Sequence, residues 1–398
     1  LRPFNWPEAI WAVAGAVLLV LLQLLPPRDA LTGIAKGADV YLFLMGMMLL
    51  AEIARQEGLF DWLAAVAAKR AKGSASRLFL LVYAVGTIVT TFLSNDATAV
   101  VLTPAVAAAV KTAKANEPLP YLLICAFIAN AASFVLPISN PANLVIYGAH
   151  MPPLLQWLPK YLLPSALSIA ATFLVLRWTQ REALGQKLSA DVPVPKLSAA
   201  GKTAALGIAA TSIVLLGASA LDIQLGLPAA IAGFLTAAVV LVRERKNPWS
   251  TLKEISWAVL PLVAGLFVIV EALDKSGLIA SIGAFLHQAA TASQIWTAWG
   301  AGAGVALASN LMNNLPAGLI AAGAIKSADV SDAIKRTILI GIDLGPNLSV
   351  TGSLATILWL TALRREGLTV NAWTFLKLGV FVMPPALLLA IGAALVFG

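Results

Sequence analysis

Charge, cysteine and histidine are all scarce in this chain. Of its 398 residues only 12% are charged, one is cysteine and two are histidine. A lone Cys125 excludes a disulfide framework and a thiolate metal cluster. His150 and His287 fall in expected loops or interfacial turns and are read as solvated. Neither an HExxH zinc motif nor a nucleophile elbow occurs, so no enzymatic activity, metal or cofactor is expected. The shortage of charge also excludes a soluble globular domain, since 60% of residues are hydrophobic and the mean hydropathy is +0.87. A net charge of +8 would ordinarily raise the question of nucleic acid. Here the basic residues fall in short clusters between apolar runs, at 55–77, 177–202, 243–253 and 364–365, which is the positive-inside pattern of a polytopic membrane protein.

The fold class expected is therefore an all-α polytopic membrane protein of the cell (inner or plasma) membrane. Apolar runs predict spans near 7–26, 39–54, 120–150, 157–177, 203–221, 226–242, 255–273, 334–362 and 375–397. Two further apolar stretches, 77–113 and 292–326, are too long for one crossing and polar at the centre. The first is basic at both ends, with Arg77 before it and Lys111 and Lys114 after, which places both ends in the cytoplasm. Its two arms of about 16 residues, roughly 24 Å each, predict a re-entrant hairpin with its tip inside the membrane. That tip is SNDAT.

The chain repeats itself. GMMLLAEIARQEGLF (46–60) recurs as GLFVIVEALDKSGLI (265–279), pairing Gly46 with Gly265, Glu52 with Glu271 and Gly58 with Gly277, and the same offset of 219 brings Asn95 onto Asn314 in SNLMNNLPAGL. Further on, LPISNPANLVI (136–146) and DLGPNLSVTGSLATI (343–357) are both Gly/Pro-broken interruptions of an apolar helix. Two inverted repeats are expected, each with a re-entrant helical hairpin and a broken transmembrane helix, the arrangement of secondary transporters. The first repeat is assigned to 1–177 with its hairpin at 77–113, a cytoplasmic linker to 178–202, and the second repeat to 203–398 with its hairpin at 292–326. Helix 203–221 has no partner in the first repeat, and the matching helix is expected before Leu1. Short amphipathic arms are expected at 58–72 and 277–289.

The polar residues of the tips and breaks are the candidate substrate ligands: Ser94, Asn95 and Thr98 in the first tip, Asn140 and Asn143 in the first break, Asn310, Asn313 and Asn314 in the second tip, and Asn347, Ser349, Thr351 and Ser353 in the second break. Any one of these could serve only to satisfy the backbone where a helix unwinds. Asp96 and Asp343 differ, because a carboxylate at membrane depth implies function, and both are assigned to proton coupling. Glu52 and Glu271 lie near helix ends and are expected to snorkel to the interface. Trp11, Trp157, Trp249, Trp257, Trp296, Trp359 and Trp373 are read as an aromatic belt. No Lys or Arg occurs in either tip or break, which suits a neutral or cationic solute better than a carboxylate.

FLSNDATAVVLTP, SNLMNNLP and above all DLGPNLSVTGSLATILWL resemble the arsenite/antimonite efflux permeases of the ArsB type, in the ion transporter superfamily. The likeness covers nearly the whole chain from Trp6. The tip motifs are shared with NhaD-type sodium/proton antiporters, the alternative reading, and more loosely with anion transporters of the superfamily. Some relatives carry an acid where this chain has Asn130, which bears on the number of proton-carrying carboxylates. The resemblance implies export of trivalent arsenite or antimonite as the neutral hydroxide, in exchange for protons, with a soluble arsenite-stimulated ATPase as an optional partner.

Overall fold

The computed structural model describes residues 6–148 and 151–397. Within them the chain is helical throughout, and the breaks fall where Pro, Gly and Asn concentrate. The first series runs α1 (Glu8–Leu21), α2 (Pro27–Lys36), α3 (Ala38–Gln56), α4 (Leu59–Ala71), α5 (Ala75–Phe92), α6 (Asn95–Ala97), α7 (Thr103–Thr112), α8 (Leu119–Ala131), α9 (Pro141–Tyr147) and α10 (Leu154–Thr179). The second runs α11 (Ala199–Ala220), α12 (Gly226–Glu244), α13 (Pro248–Glu254), α14 (Val259–Lys275), α15 (Leu278–Ala292), α16 (Gln294–Met312), α17 (Asn314–Ala328), α18 (Asp332–Leu344), α19 (Leu354–Arg365) and α20 (Ala372–Val396). Helices α5, α10, α11, α12 and α20 are each long and apolar enough to cross a bilayer.

Three expected spans differ in detail. The run 7–26 is helical only to Leu21, because Gln23 takes a positive φ of 58° and Pro26 and Pro27 start α2. Helix α2 meets α3 at a 47° bend, and α13 meets α14 at 46°, so the runs at 39–54 and 255–273 are each the longer arm of a bent pair. The runs at 120–150 and 334–362 are broken, as their Gly/Pro content predicts.

Element order recurs. Helices α1 to α10 are followed in kind by α12 to α20, with α11 outside the series. Gly58 and Gly277, 219 residues apart, both take a left-handed φ, 73° and 81°, where α3 turns into α4 and α14 into α15. The packing is reciprocal as well. Gly46 of α3 lies against the Ala229 carbonyl of α12, and Gly265 of α14 lies against Ala12 of α1, close approaches that only glycine permits.

Both long interrupted stretches are hairpins. Leu188 N donates to Gly73 O at 3.0 Å and Ser189 N to Ala113 O at 2.8 Å, so the linker ties the start of α5 to the end of α7. At the second hairpin, α15 packs on both α16 and α17, and His287 Nδ1 lies 2.8 Å from Ala328 O at the end of α17. His287 therefore sits in a helix rather than a turn, and it is exposed, as the solvated reading requires; His150 lies outside the described residues.

Two other surface expectations are corrected. Glu52 and Glu271 are buried and paired rather than snorkelling. Arg55 and Gln56 hold Glu52 from the next turn at 2.6–2.8 Å, and Lys36 Nζ meets Glu271 at 2.5 Å. Each carboxylate is buried while its partner cation, Lys36 or Arg55, reaches the surface, so the pair rather than the acid alone meets water. Trp157 and Trp359 are fully buried, because each indole N–H serves a carbonyl: Trp157 those of Phe134 and Val135, Trp359 that of Leu122. Trp11, Trp249, Trp257, Trp296 and Trp373 are exposed, as a belt requires.

Candidate functional site

The first tip is a tight reversal. Ser94 is extended and its hydroxyl caps α6 by accepting from Ala97 N at 3.1 Å, while Asn95 Oδ1 accepts from Asp96 N at 2.9 Å. A wider π-helical turn, Thr98–Leu102, then precedes α7. Pro104 has no N–H to offer the carbonyl of Val100, which is reason enough for the helix to loosen there. Thr98 Oγ1 faces Thr90 Oγ1 at 2.8 Å and braces the two arms.

The broken helices are held by side chains that satisfy the freed backbone groups. In the first, Asn143 Nδ2 is shared among the carbonyls of Ser133, Leu136 and Pro137 at 3.0–3.4 Å, and Ser168 donates to Ala131 O. Asn140 caps α9, its Oδ1 accepting from Ala142 N. In the second, Asn310 of α16 donates to Gly345 O at 2.9 Å and accepts from Ser349 Oγ at 2.7 Å, while Thr351 donates to Asn310 O. Asn347 Nδ2 donates to Phe127 O, and Ser353 caps α19 through Thr356 N. Asn313, with φ 79°, caps α17 through Leu315 N, and Asn314 N donates to Gly352 O.

Where these parts meet there is a cleft. One end is lined by Asn95 and Asp96 of the first tip, Asn314 and Leu315 of the second, Asn140 and Pro141 at the start of α9, and Leu354 at the start of α19. From Asp96 and Pro141 it continues past Ser94, Met47 and Met48 to a mouth at Glu52 and Glu254, a cavity of about 60 Å³. Arg55 lies at this mouth, bonded to Glu52 and 3.9 Å from Glu254. Among the described residues no donor reaches the Asp96 carboxylate, and no Lys or Arg lines the cleft.

Of the sequence candidates, Ser94, Asn95, Asp96, Asn140 and Asn314 thus share one space. Thr98, Asn143, Asn310, Asn313, Asn347, Ser349, Thr351 and Ser353 lie behind it, engaged with the backbone and with one another. Asp343 does not line the cleft. It is fully buried, its Oδ1 accepts from Asn140 Nδ2 at 2.6 Å, and its Oδ2 has no partner among the described residues. Sequence reasoning did not place Glu254, Met47 or Met48, which carry no motif. It noted Asn130 but not its bonding: Nδ2 donates to Asn347 Oδ1 at 3.0 Å, tying one broken helix to the other.

The break motifs now align. Ala131 to Leu344 and Pro141 to Leu354 are both 213 residues apart, so Asp343 corresponds to Asn130, and Ser353 to Asn140.

Comparison with known proteins agrees with this architecture. The sequence profile of the CitMHS family, described as citrate transporter, matches residues 4–342. The arsenical pump membrane protein of Escherichia coli (strain K12) is 26% identical over 403 residues, covering 96% of this chain and 92% of that protein. That of Yersinia enterocolitica is 26% identical over 363 residues, covering 88% and 84%. An uncharacterized transporter of Mycobacterium tuberculosis is 24% identical over 402 residues. The crystal structure of the Alcanivorax borkumensis YdaH transporter superposes with a TM-score of 0.62 at 17% identity, covering 97% of both chains, which shows the fold. The arsenical pump relatives bear out the ArsB-type resemblance, and with most of its length matched the chain belongs to the CitMHS family, multi-pass transporters of the cell membrane.

Proposed function

We propose that this transporter exports trivalent arsenic or antimony as the neutral hydroxide in exchange for protons. The observation that carries the reading is the end of the cleft where Asn95 and Asn314 of the hairpin tips and Asn140, which caps α9, line the same space as the Asp96 carboxylate, with no basic side chain among the lining residues. Amide and hydroxyl groups suit a small polyhydroxyl solute by hydrogen bonding. Citrate, which the family description names, carries up to three negative charges and would meet Asp96 with no Lys or Arg among the lining residues, Arg55 at the mouth being bonded already to Glu52. That chemistry favours a neutral solute over citrate. The names of the arsenical pump relatives support the choice of solute.

The two helical series are read as inverted repeats, on the strength of their recurring order and the reciprocal glycine crossings. The basic residues near Arg55, Arg243 and Lys246 assign the cleft mouth to the cytoplasm, so this conformation faces inward. Asp96 takes up a proton when the site faces out and releases it when the site faces in. Each exchange then moves net positive charge inward, and the membrane potential adds about 2.3 kcal/mol per charge per 100 mV to the export of an uncharged solute.

The test is flux in proteoliposomes of the purified protein. An inward-directed arsenite gradient, an imposed proton gradient and a sodium gradient are compared, with citrate as competitor. Arsenite accumulation driven by protons and unaffected by citrate is expected. Sodium-driven flux without arsenite movement would establish the antiporter alternative.

A further inference from the structure

Glu254, at the cleft mouth, ends α13, and Ile255 and Ser256, which also line the cleft, sit in the 46° bend that joins α13 to α14. The position of α13 therefore sets the shape of the mouth. At seven residues it is too short to be stable by itself. Its inner face is held by Thr251, fully buried, whose hydroxyl donates to Gln56 Oε1 of α3 at 2.7 Å. Arg55 of α3 stands 3.9 Å from Glu254, and Lys246, just ahead of α13, bonds Glu57 at 2.6 Å.

The outer face is of another kind. Trp249 and Lys253, one turn apart, are both exposed, Trp249 at 66%. Trp257 stands exposed just past the helix, its indole N–H donating to Leu252 O at 2.6 Å. Arg243 and Arg245 lie at the end of α12, and the bond from Arg243 Nη1 to Thr203 Oγ1 at 3.4 Å brings Lys202 of α11 alongside. Among the described residues Lys202, Arg243, Arg245 and Lys253 have no acid partner, and the one unpaired carboxylate in the stretch 243–257 is Glu244. The counterpart of α13 in the recurring order differs. Helix α2 has no tryptophan, and its Asp29 and Lys36 are drawn into ion pairs with Lys275 and Glu271 of α14. Protein holds α2 in place, whereas α13 leaves its cations free.

We propose that α13 binds anionic phospholipid of the cytoplasmic leaflet, with Arg245 and Lys253 on the headgroup phosphates and Trp249 at headgroup depth, and that this contact fixes the mouth of the cleft. Helix α12 is long and apolar enough to cross the bilayer, and a cluster of Lys and Arg at the cytoplasmic end of such a helix attracts anionic headgroups. Exposed indoles settle at the same depth. An acidic protein would satisfy the cations but would give Trp249 no apolar boundary to enter. With anionic headgroups bound, α13 is pinned to the leaflet and Glu254, Ile255 and Ser256 keep the mouth in the form seen here. With uncharged headgroups, α13 is left to Thr251 and its ion pairs, and the mouth shifts. The inference needs the cytoplasmic side assigned above but not the identity of the solute.

The test reports on α13 without any solute. Cys125→Ala protein carrying either Ser250→Cys, on the exposed face of α13, or Ser256→Cys, at the mouth, is placed in nanodiscs of phosphatidylcholine alone or with about 30% phosphatidylglycerol. A fluorophore at position 250 is quenched by traces of nitroxide-labelled lipid of either headgroup. Labelled phosphatidylglycerol should be enriched at this position over labelled phosphatidylcholine by about fivefold, the effect of one juxtamembrane cation. The preference should disappear in Arg245→Gln/Lys253→Gln and shrink in high salt. At position 256, the rate of reaction with a soluble maleimide should differ between the two membranes, and the double variant should react alike in both. Equal quenching by the two lipids overturns the lipid site, as does a preference that survives the double variant. A preference at position 250 with no change at position 256 overturns control of the mouth. Inorganic phosphate added to the phosphatidylcholine discs should reproduce neither effect; if it does, the ligand is the free anion and the lipid site falls. Failure of arsenite transport would leave all of these readouts as they are, so the two readings stand or fall separately.

Discussion

The two hairpin tips occupy matched positions in the recurring order but carry different side chains. Asn95 and Asn314 correspond and both line the cleft, yet the next residue is Asp96 in one tip and Leu315 in the other. The second tip is bound into its broken helix by Asn310, Ser349, Thr351 and the Asn314–Gly352 backbone bond. The first tip is held mainly from behind, where Ser139 donates to Thr91 O and Ser212 to Phe92 O, leaving the Asp96 carboxylate uncommitted. The broken helices are asymmetric in the opposite sense, with Asn130 in the first half and Asp343 in the second. Each half therefore contributes one acid, from different elements, one in the cleft and one behind it. The recurring element order thus carries its two acids at positions that do not match.

The sharpest way to break this comparison is Asp96→Asn. The amide keeps the size and hydrogen-bonding capacity of the side chain but cannot titrate, so proton-driven arsenite accumulation should be abolished while arsenite/arsenite exchange persists. If reconstituted Asp96→Asn protein still drives uphill transport, the carboxylate is structural and the first tip is no more special than the second. Moving the acid to the matched site, as Asp96→Asn with Leu315→Asp, should not restore accumulation, because Leu315 lines the part of the cleft it shares with the apolar Val263 and Leu354 and not the part that leads to Glu52 and Glu254.

The second tip should answer to stability rather than coupling. Asn310→Ala would take from the Gly345 carbonyl its side-chain donor and leave the Ser349 hydroxyl with Thr351 alone, at about 1–3 kcal/mol in all. A fall in melting temperature in detergent, with proton-to-arsenite coupling intact in the protein that remains folded, is the expected pattern. Loss of coupling at unchanged melting temperature would mean that the second tip also carries protons.

How far the sequence disclosed this arrangement depends on the range of the interaction. Hairpins and broken helices were legible because their causes are local: Pro104, Pro141 and Pro346 remove donors, and Asn and Ser cap the new helix starts. Helices α2 and α13, of 10 and 7 residues, were missed because charged residues interrupt their apolar pattern. Partnerships across the chain left no signal. Asn140 and Asp343 are 203 residues apart, Lys36 and Glu271 235, and nothing in either segment names the other. For the same reason Trp157 and Trp359 read as interfacial residues, although each indole serves a carbonyl deep in the packing.

A milder comparison is between the two reciprocal glycine crossings. Gly46→Ala would force a methyl group into the Ala229 carbonyl, whereas at Gly265 the nearest atom to an added Cβ is Ala12 C at 2.7 Å. Overpacking of this kind costs about 1–3 kcal/mol, and Gly46→Ala should sit at the upper end. Thermal unfolding of the two variants side by side checks the ranking. Equal losses would imply that both crossings relax alike, despite the closer approach at α3 and α12.

The smallest effect is expected at Cys125. It is fully buried on α8, away from the cleft, and packs as an apolar filler. Cys125→Ala removes one heavy atom from that packing, a loss of about 1 kcal/mol, and arsenite efflux should survive. Trivalent arsenic favours several thiolates at once, and one cannot supply them, so loss of transport in a stably folded Cys125→Ala protein would overturn recognition by amides and hydroxyls. The same variant is the background for reading sidedness. Arg77 and Lys111 are exposed near the two ends of the first hairpin, which the linker holds together. Cysteines placed at 77 and 111 should therefore react with an impermeant maleimide only from the cytoplasmic side. Reaction of either from outside would mean that the arms of this hairpin cross the bilayer, and the inward-facing assignment of the cleft would fall with it.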